Sequence, residues 1–381
     1  MKSSYIVLLL IMTSGIYSQK NPYQVKFSSE IHSELADGSL RPSTAGTLLS
    51  FIGDYYNSAT YSEVKLSWGV DTINVDHYTT TNALNAIIKE AQERQIVIIS
   101  ENHLKPQHRI FAKQLINRLH QYGFRHLGLE AVSPIDSLLN ERGYPLNSPF
   151  SGVYTMEPQM NKLIISARQT GFRLFGYEAI SRNATKDRDE IQADNIIKQI
   201  RKHPNSKFII LCGFHHAIES DMIKRGDSYW MAKYLKEKTG IDPLTIYQDN
   251  FTEKFIENQH PILRSLLINE PSVFTNKSGN LVRLTDHVDI EVIHPRTYNF
   301  NGRPHWLYET QSNSIEVDNP EDLKFPRIVA AYKDNLENSV PFDQMELKHK
   351  YDRKYLVLER GSYRIVITDG KNNHEYIRVV E

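Results

Sequence analysis

Five short apolar runs most constrain what this chain can fold into: "QIVIIS" (95 to 100), "HLGLE" (126 to 130), "RLFGYE" (173 to 178), "KFIILCG" (207 to 213) and "PLTIYQ" (243 to 248). Each is strand-length, and the segments between them carry helical spacing. In "HRIFAKQLINRLHQYGF", Phe111, Leu115, Leu119 and Tyr122 share one face and Gly123 is a C-cap. In "RDEIQADNIIKQIRK", Ile191, Asn195, Ile196 and Ile200 lie at helical spacing. Strands joined by crossovers of about 30 residues build a parallel sheet with helices on both faces. The expected fold class is therefore α/β, a mostly parallel sheet flanked by helices.

The first four runs end in ionisable groups: Glu101 and His103, then Glu130, then Glu178, then His215 and His216. In an open parallel sheet the carboxyl ends of the strands lie on one edge, and ligands bind in the crevice there. Residues far apart in sequence are thus expected to converge. Each ionised carboxylate costs several kcal/mol to desolvate, so these glutamates must be hydrated, paired with His or Arg, or bound to a metal. The plainer reading of each, that a polar residue marks where its strand leaves the core, has to be invoked afresh for every strand. Asn102 reads as a turn residue and His108 as a solvated helix residue. Cys212, at the end of an apolar strand, reads as inert core.

Four regions follow. Residues 1–18 of "MKSSYIVLLLIMTSGIYSQK" place a lysine before an apolar run and then small residues, the pattern of a secretory signal peptide. Residues 19–94 look helical, as in "AGTLLSFIGDYY" and "TNALNAIIKEAQER". Residues 95–260 hold the α/β pattern, interrupted by the Gly/Pro/Asn/Ser-rich "NERGYPLNSPFSGVYTMEP", read as a loop or lid. Residues 261–381 turn to short alternating runs, including the hairpin "GSYRIVITDGKNNHEYIRVV". The expectation is an exported protein, periplasmic, extracellular or surface-associated, with no transmembrane helix beyond the leader and a small β-rich C-terminal domain.

Charge excludes one class of partner. Lys plus Arg and Asp plus Glu are both 45, so no basic field exists to hold nucleic acid. The single cysteine forbids an intramolecular disulfide. There is no G-x-S-x-G elbow, no H-E-x-x-H zinc helix and no glycine-rich phosphate or dinucleotide loop.

At the strand ends the sequence resembles the superfamily of erythromycin esterases, ChaN-type haem-binding uptake proteins and Tiki/TraB proteins. The matching features are "SENH", "GLEAV", "DRDEIQADNI" and "GFHHAIE", within about residues 90 to 250. Ser100 stands where the family commonly has glycine, and Glu178 where the esterases tend to have aspartate. The esterase branch implies that Glu101 and His103 form the first catalytic pair, with His103 as general base and Glu130 orienting it or the water. His215 or His216 would complete the site, and Arg188 would steady an anionic intermediate or pair with Glu178. The ChaN branch implies haem held by surface side chains, for which Tyr154 and Tyr177 are phenolates. The Tiki branch implies a divalent metal, with His103, Glu130 and His216 as a mixed nitrogen and oxygen shell. The leading expectation is an exported hydrolase acting on an ester or related small-molecule substrate. The runner-up is a haem- or metal-binding uptake protein on the same scaffold, and a third reading makes the C-terminal β segment a carbohydrate- or envelope-binding module. No cofactor, haem or a divalent metal are all compatible with the spacing.

Overall fold

The computed structural model describes residues 25–61, 77–180, 186–253, 263, 266–309 and 312–381. The expected signal peptide at residues 1–18 lies outside the described residues.

Helices α1 (Ser28–Ala36), α2 (Pro42–Phe51) and α3 (Tyr55–Thr60) precede strand β1 (Thr79–Asn82) and helix α4 (Ala83–Ala91). The α/β run then reads β2 (Ile96–Glu101), α5 (Gln107–Leu119), β3 (Phe124–Leu129), α6 (Leu139–Arg142), α7 (Pro158–Thr170) and β4 (Arg173–Gly176). It continues through α8 (Arg188–Lys202), β5 (Lys207–Gly213), α9 (Met231–Thr239) and β6 (Leu244–Phe251). Strands β7 (Ser272–Thr275) and β8 (Ile290–Ile293) complete an eight-stranded sheet in the order β1-β7-β8-β6-β2-β5-β3-β4. Pairs among β8, β6, β2, β5, β3 and β4 are parallel, and β7 is antiparallel to both β1 and β8. The α/β class read from the sequence is thus the observed one. The sheet also runs past the expected 95–260 span: β1 comes from the region read as helical, and β7 and β8 from the region read as a separate β domain.

Period-two alternation along the buried strands decides which helices cover which face. Val97 and Ile99 point to the layer of α4, α5 and α7, where they meet Phe111, Leu115, Leu163 and Ile87. Ile96 and Ile98 point to the opposite layer and meet Ile196, Ile200, Met231 and Leu235 of α8 and α9. A strand buried on both faces needs no polar alternation, which is why "QIVIIS" reads as an unbroken apolar run. The chain passes from β5 to β6 across β2, so β2 and β5 lie side by side at the centre with their carboxyl ends on one rim.

The segment read as a lid is tied down. Ser151 O accepts from Ser133 N at 2.9 Å, Asn147 N donates to Asn338 O at 2.8 Å, and Ser151, Thr155 and Glu157 are buried. Short strands β9 (Asn299–Phe300), β10 (Arg303–Pro304), β11 (Asn313–Ile315) and β14 (Leu356–Leu358) accompany a four-stranded antiparallel sheet. That sheet runs β13 (Asp343–Leu347), β12 (Arg327–Lys333), β15 (Gly361–Thr368) and β16 (Asn373–Val380). The expected hairpin is β15–β16, with Tyr363, Ile365 and Ile367 facing its core and Gly370 in the left-handed turn at φ 85°. Asn161 Nδ2, on α7, donates to Val340 O at 2.9 Å, joining the β-rich layer to the main sheet.

Candidate functional site

The carboxyl ends of β2, β3 and β5 bring the anticipated groups to one place. Glu101, the last residue of β2, is buried, and Arg109 of α5 grips it with Nε–Oε2 2.7 Å and Nη2–Oε1 3.1 Å. The other Arg109 arm donates to Glu157 Oε2 at 2.8 Å, and Nη2 also reaches His103 O at 3.0 Å. Burial pushes the Glu101 carboxyl up, but the Arg109 charge and the His103 hydrogen bond hold it down to about 2. Burial wins at Glu157, whose carboxyl is raised despite Arg109.

His103 leaves the end of β2 and bonds Glu101 Oε1 through Nδ1 at 2.9 Å. An ionised carboxylate only accepts, so Nδ1 carries the proton and Nε2 is the basic atom. Tyr154 stacks on the ring with centroids 4.0 Å apart, and Phe214 meets it edge-on at 5.2 Å. A Cβ at Gly213 would press on His103 Nε2 and Cε1 and lie 3.2 Å from Glu130 Oε2. His103 and Glu130 therefore meet over the bare backbone of Gly213, and glycine there is a requirement of space.

Glu130 accepts from Arg188 Nη2 at 2.6 Å and from Gly213 N at 2.5 Å, and faces His216 Nε2 at 3.5 Å. Burial raises its carboxyl, but His216, His103 and Arg188 bring it down to about 2. Arg188 opens α8 and bridges Glu130 to Glu178, donating Nε to Glu178 Oε1 at 3.0 Å and Nη2 to Oε2. Its side chain keeps 40% exposure, the most open of the group. His216 bonds Asp189 Oδ1 through Nδ1 and lies 3.1 Å from Arg188 Nη1 through Nε2. Burial disfavours the imidazolium, yet Glu130 and Asp189 outweigh it and raise the His216 pKa.

His215 goes elsewhere. Phe214 sits at φ 39°, a left-handed backbone that a bulky side chain rarely adopts, and opens the 3-10 turn Phe214–Ala217, in which neighbouring side chains point about 120° apart. The His215 ring packs among Phe214, Trp230 and Tyr247, while His216 joins Glu130. Glu101, His103, Glu130, Glu178, Arg188 and His216 thus share one cluster.

Other readings change. His108 is buried, not solvated: its Nδ1 accepts from Asn102 N at 3.0 Å and its Nε2 pairs with Thr252 Oγ1 at 2.9 Å. Asn102 does hold the turn, accepting from Leu104 N at 3.0 Å, and also donates to Asp249 at 2.9 Å. Cys212 is buried and its thiol is pushed up by burial, as inert core requires. Tyr177 is buried and its hydroxyl donates to Leu211 O at 2.9 Å, so it does not present a phenolate at the surface. Among the described residues no three His, Cys, Asp or Glu side chains are arranged to hold a metal ion. Between Glu130, Glu178 and His216 lies the Arg188 guanidinium.

Sequence reasoning missed Arg109, Glu157 and Asp189, and it named Tyr154 only as a haem phenolate, not as the ring stacked on His103. Arg109 carried a weak signal: it adjoins Ile110 and Phe111 at the start of α5, where a solvated arginine has no reason to be buried. Glu157 before Pro158 is an N-cap pattern, and its carboxylate does accept from Met160 N at 2.9 Å. Asp189 adjoins Arg188 within "DRDE".

No protein-family model matches the sequence, and no curated protein matches it. Solved structures are similar at low identity. The chain covers 97% of ChaN of Campylobacter jejuni, a structure reported for cofacial haem binding, at 10% identity and TM-score 0.34 over 57% of this chain. It covers 96% of the type III effector HopBA1 at 15% identity and TM-score 0.33, over 49% of this chain. It covers 45% of RRSP, a MARTX toxin effector domain from Vibrio vulnificus, at 16% identity and TM-score 0.31 over 57% of this chain.

Proposed function

We propose that the chain is an exported hydrolase in which His103 Nε2 takes a proton from water as that water attacks an ester or related carbonyl. The observation that carries this reading is the Glu101–His103 pair: a buried, ionised carboxylate fixes the Nδ1–H tautomer and leaves Nε2 basic over Gly213. Glu130 borders the same space and orients the attacking water. Arg188, the exposed cation of the cluster, would stabilise the oxyanion, and the imidazolium that His103 becomes on taking the water's proton would return that proton to the leaving group. Export rests on the N-terminal sequence pattern alone, and fractionation of cells expressing the full chain, with N-terminal sequencing of the product, tests it.

The test of the chemistry is a panel of nitrophenyl and aliphatic esters with His103→Ala and His103→Gln. Both variants should keep the far-UV circular dichroism of the parent and lose a factor of about 100 to 10,000 in kcat/KM. Turnover that survives both substitutions would remove His103 from the reaction.

A further inference from the structure

A cavity of about 330 Å³ is lined by the β2–α5 connection, Leu104 to Gln107, and by Thr252 and Glu253 just after β6. Tyr55 and Tyr56 of α3 and Trp306 form its aromatic wall, and Leu104 and Pro106 its apolar floor. The charged residues on it, Lys105 and Glu253, have opposite signs, so the space favours neither anion nor cation. Its size and lining are those of a small-molecule pocket, apolar with a few directed polar groups. Tyr56 is 77% exposed at its edge, so its ring can be reached from solvent.

The cavity is wired to the catalytic cluster. Tyr55, whose ring lies 5.2 Å from Trp306, donates its hydroxyl to Glu157 Oε1 at 3.3 Å. Glu157 holds Arg109, Arg109 holds Glu101, and Glu101 holds His103. Every member of this chain except His103 is fully buried, so displacement at Tyr55 has few ways to dissipate.

We infer that this cavity binds a planar aromatic molecule, and that its occupancy is passed to His103 through Tyr55, Glu157, Arg109 and Glu101. The binding half stands apart from the proposed hydrolysis, and neither readout below uses turnover, so the two readings fail separately.

The experiment titrates 2-naphthol into the full chain by isothermal calorimetry and follows the His103 ring resonances by NMR. Saturable one-to-one binding is expected. Tyr56→Ala, at an exposed position, should weaken it about fivefold, the scale of one aromatic stacking contact. Ala59→Phe, which fills the cavity from α3, should abolish it. The His103 resonances should move on binding in the parent, and in Glu157→Gln at saturating 2-naphthol they should stay where that variant shows them without 2-naphthol. Absence of saturable binding, binding unaffected by both Tyr56→Ala and Ala59→Phe, or methyl β-glucoside binding where 2-naphthol does not would overturn the site. Binding that leaves the parent His103 resonances unmoved would overturn the relay.

Discussion

Replacing Arg109 with methionine tests the electrostatic frame of the site. Arg109 is fully buried between two buried carboxylates, Glu101 and Glu157. Methionine of similar length keeps the packing and removes the charge, leaving Glu101 with only the His103 bond and Glu157 with Tyr55 and Met160 N, which costs about 3 to 5 kcal/mol for a buried pair broken on one side. The Glu101 shift gives an independent figure. Its carboxyl falls from 4.5 to about 2, and at about 1.4 kcal/mol per unit that is on the order of 3 kcal/mol. A depressed carboxylate contributes stability that is present above its unfolded value near 4.5 and is lost as pH falls toward 2. The variant lacks that contribution, and its two acids gain protons readily on acidification. The stability gap between parent and Arg109→Met should therefore be largest at pH 7 and shrink by at least half at pH 3. Urea unfolding followed by far-UV circular dichroism at both pH values measures it. A gap below about 1 kcal/mol at pH 7, or one that does not narrow in acid, would refute the view that Arg109 neutralises these carboxylates.

Further expectations follow from the same geometry. Gly213→Ala should push the His103 ring off its position and lower kcat by about a hundredfold, the effect of a 1 Å misplacement, with a circular dichroism spectrum like the parent's; unchanged kcat would show that the ring has room to spare. A raised histidine contributes stability that is complete below its unfolded value of 6.5 and is lost as pH rises through its folded value. The parent should therefore lose melting temperature from pH 6.5 upward, and His216→Gln should show a flatter profile over that range; identical slopes would count against the imidazolium at this position. Ile99→Ala, at the centre of β2, should cost about 2 to 5 kcal/mol in urea unfolding, because the flanking helices cannot collapse into the space. A loss under 1 kcal/mol would mean the sheet is not the stability core.

What the sequence determined by itself are the features written in local periodicity. The five apolar runs specify strands, because a segment buried on both faces has to be apolar throughout, and the intervening three- and four-residue spacings specify their crossover helices. Strand direction then follows from the crossovers, and with it the gathering of Glu101, Glu130 and Glu178 on one edge. β1, β7 and β8 were not legible, since four-residue strands carry too little pattern and exist here through pairing with β6 and with one another. The same holds for the polar interior. Nothing local separates His215 from His216; both rings pack on Trp230, and tertiary packing alone puts the first against Tyr247 and the second between Glu130 and Asp189. Arg109 and His108 sit on a helix whose composition reads as half solvated, and tertiary burial alone makes them partners of Glu101 and Thr252. Only the packed structure decided which charges lost water and which neighbours replaced it, because desolvation depends on everything that surrounds a group and sequence spacing records only what precedes and follows it.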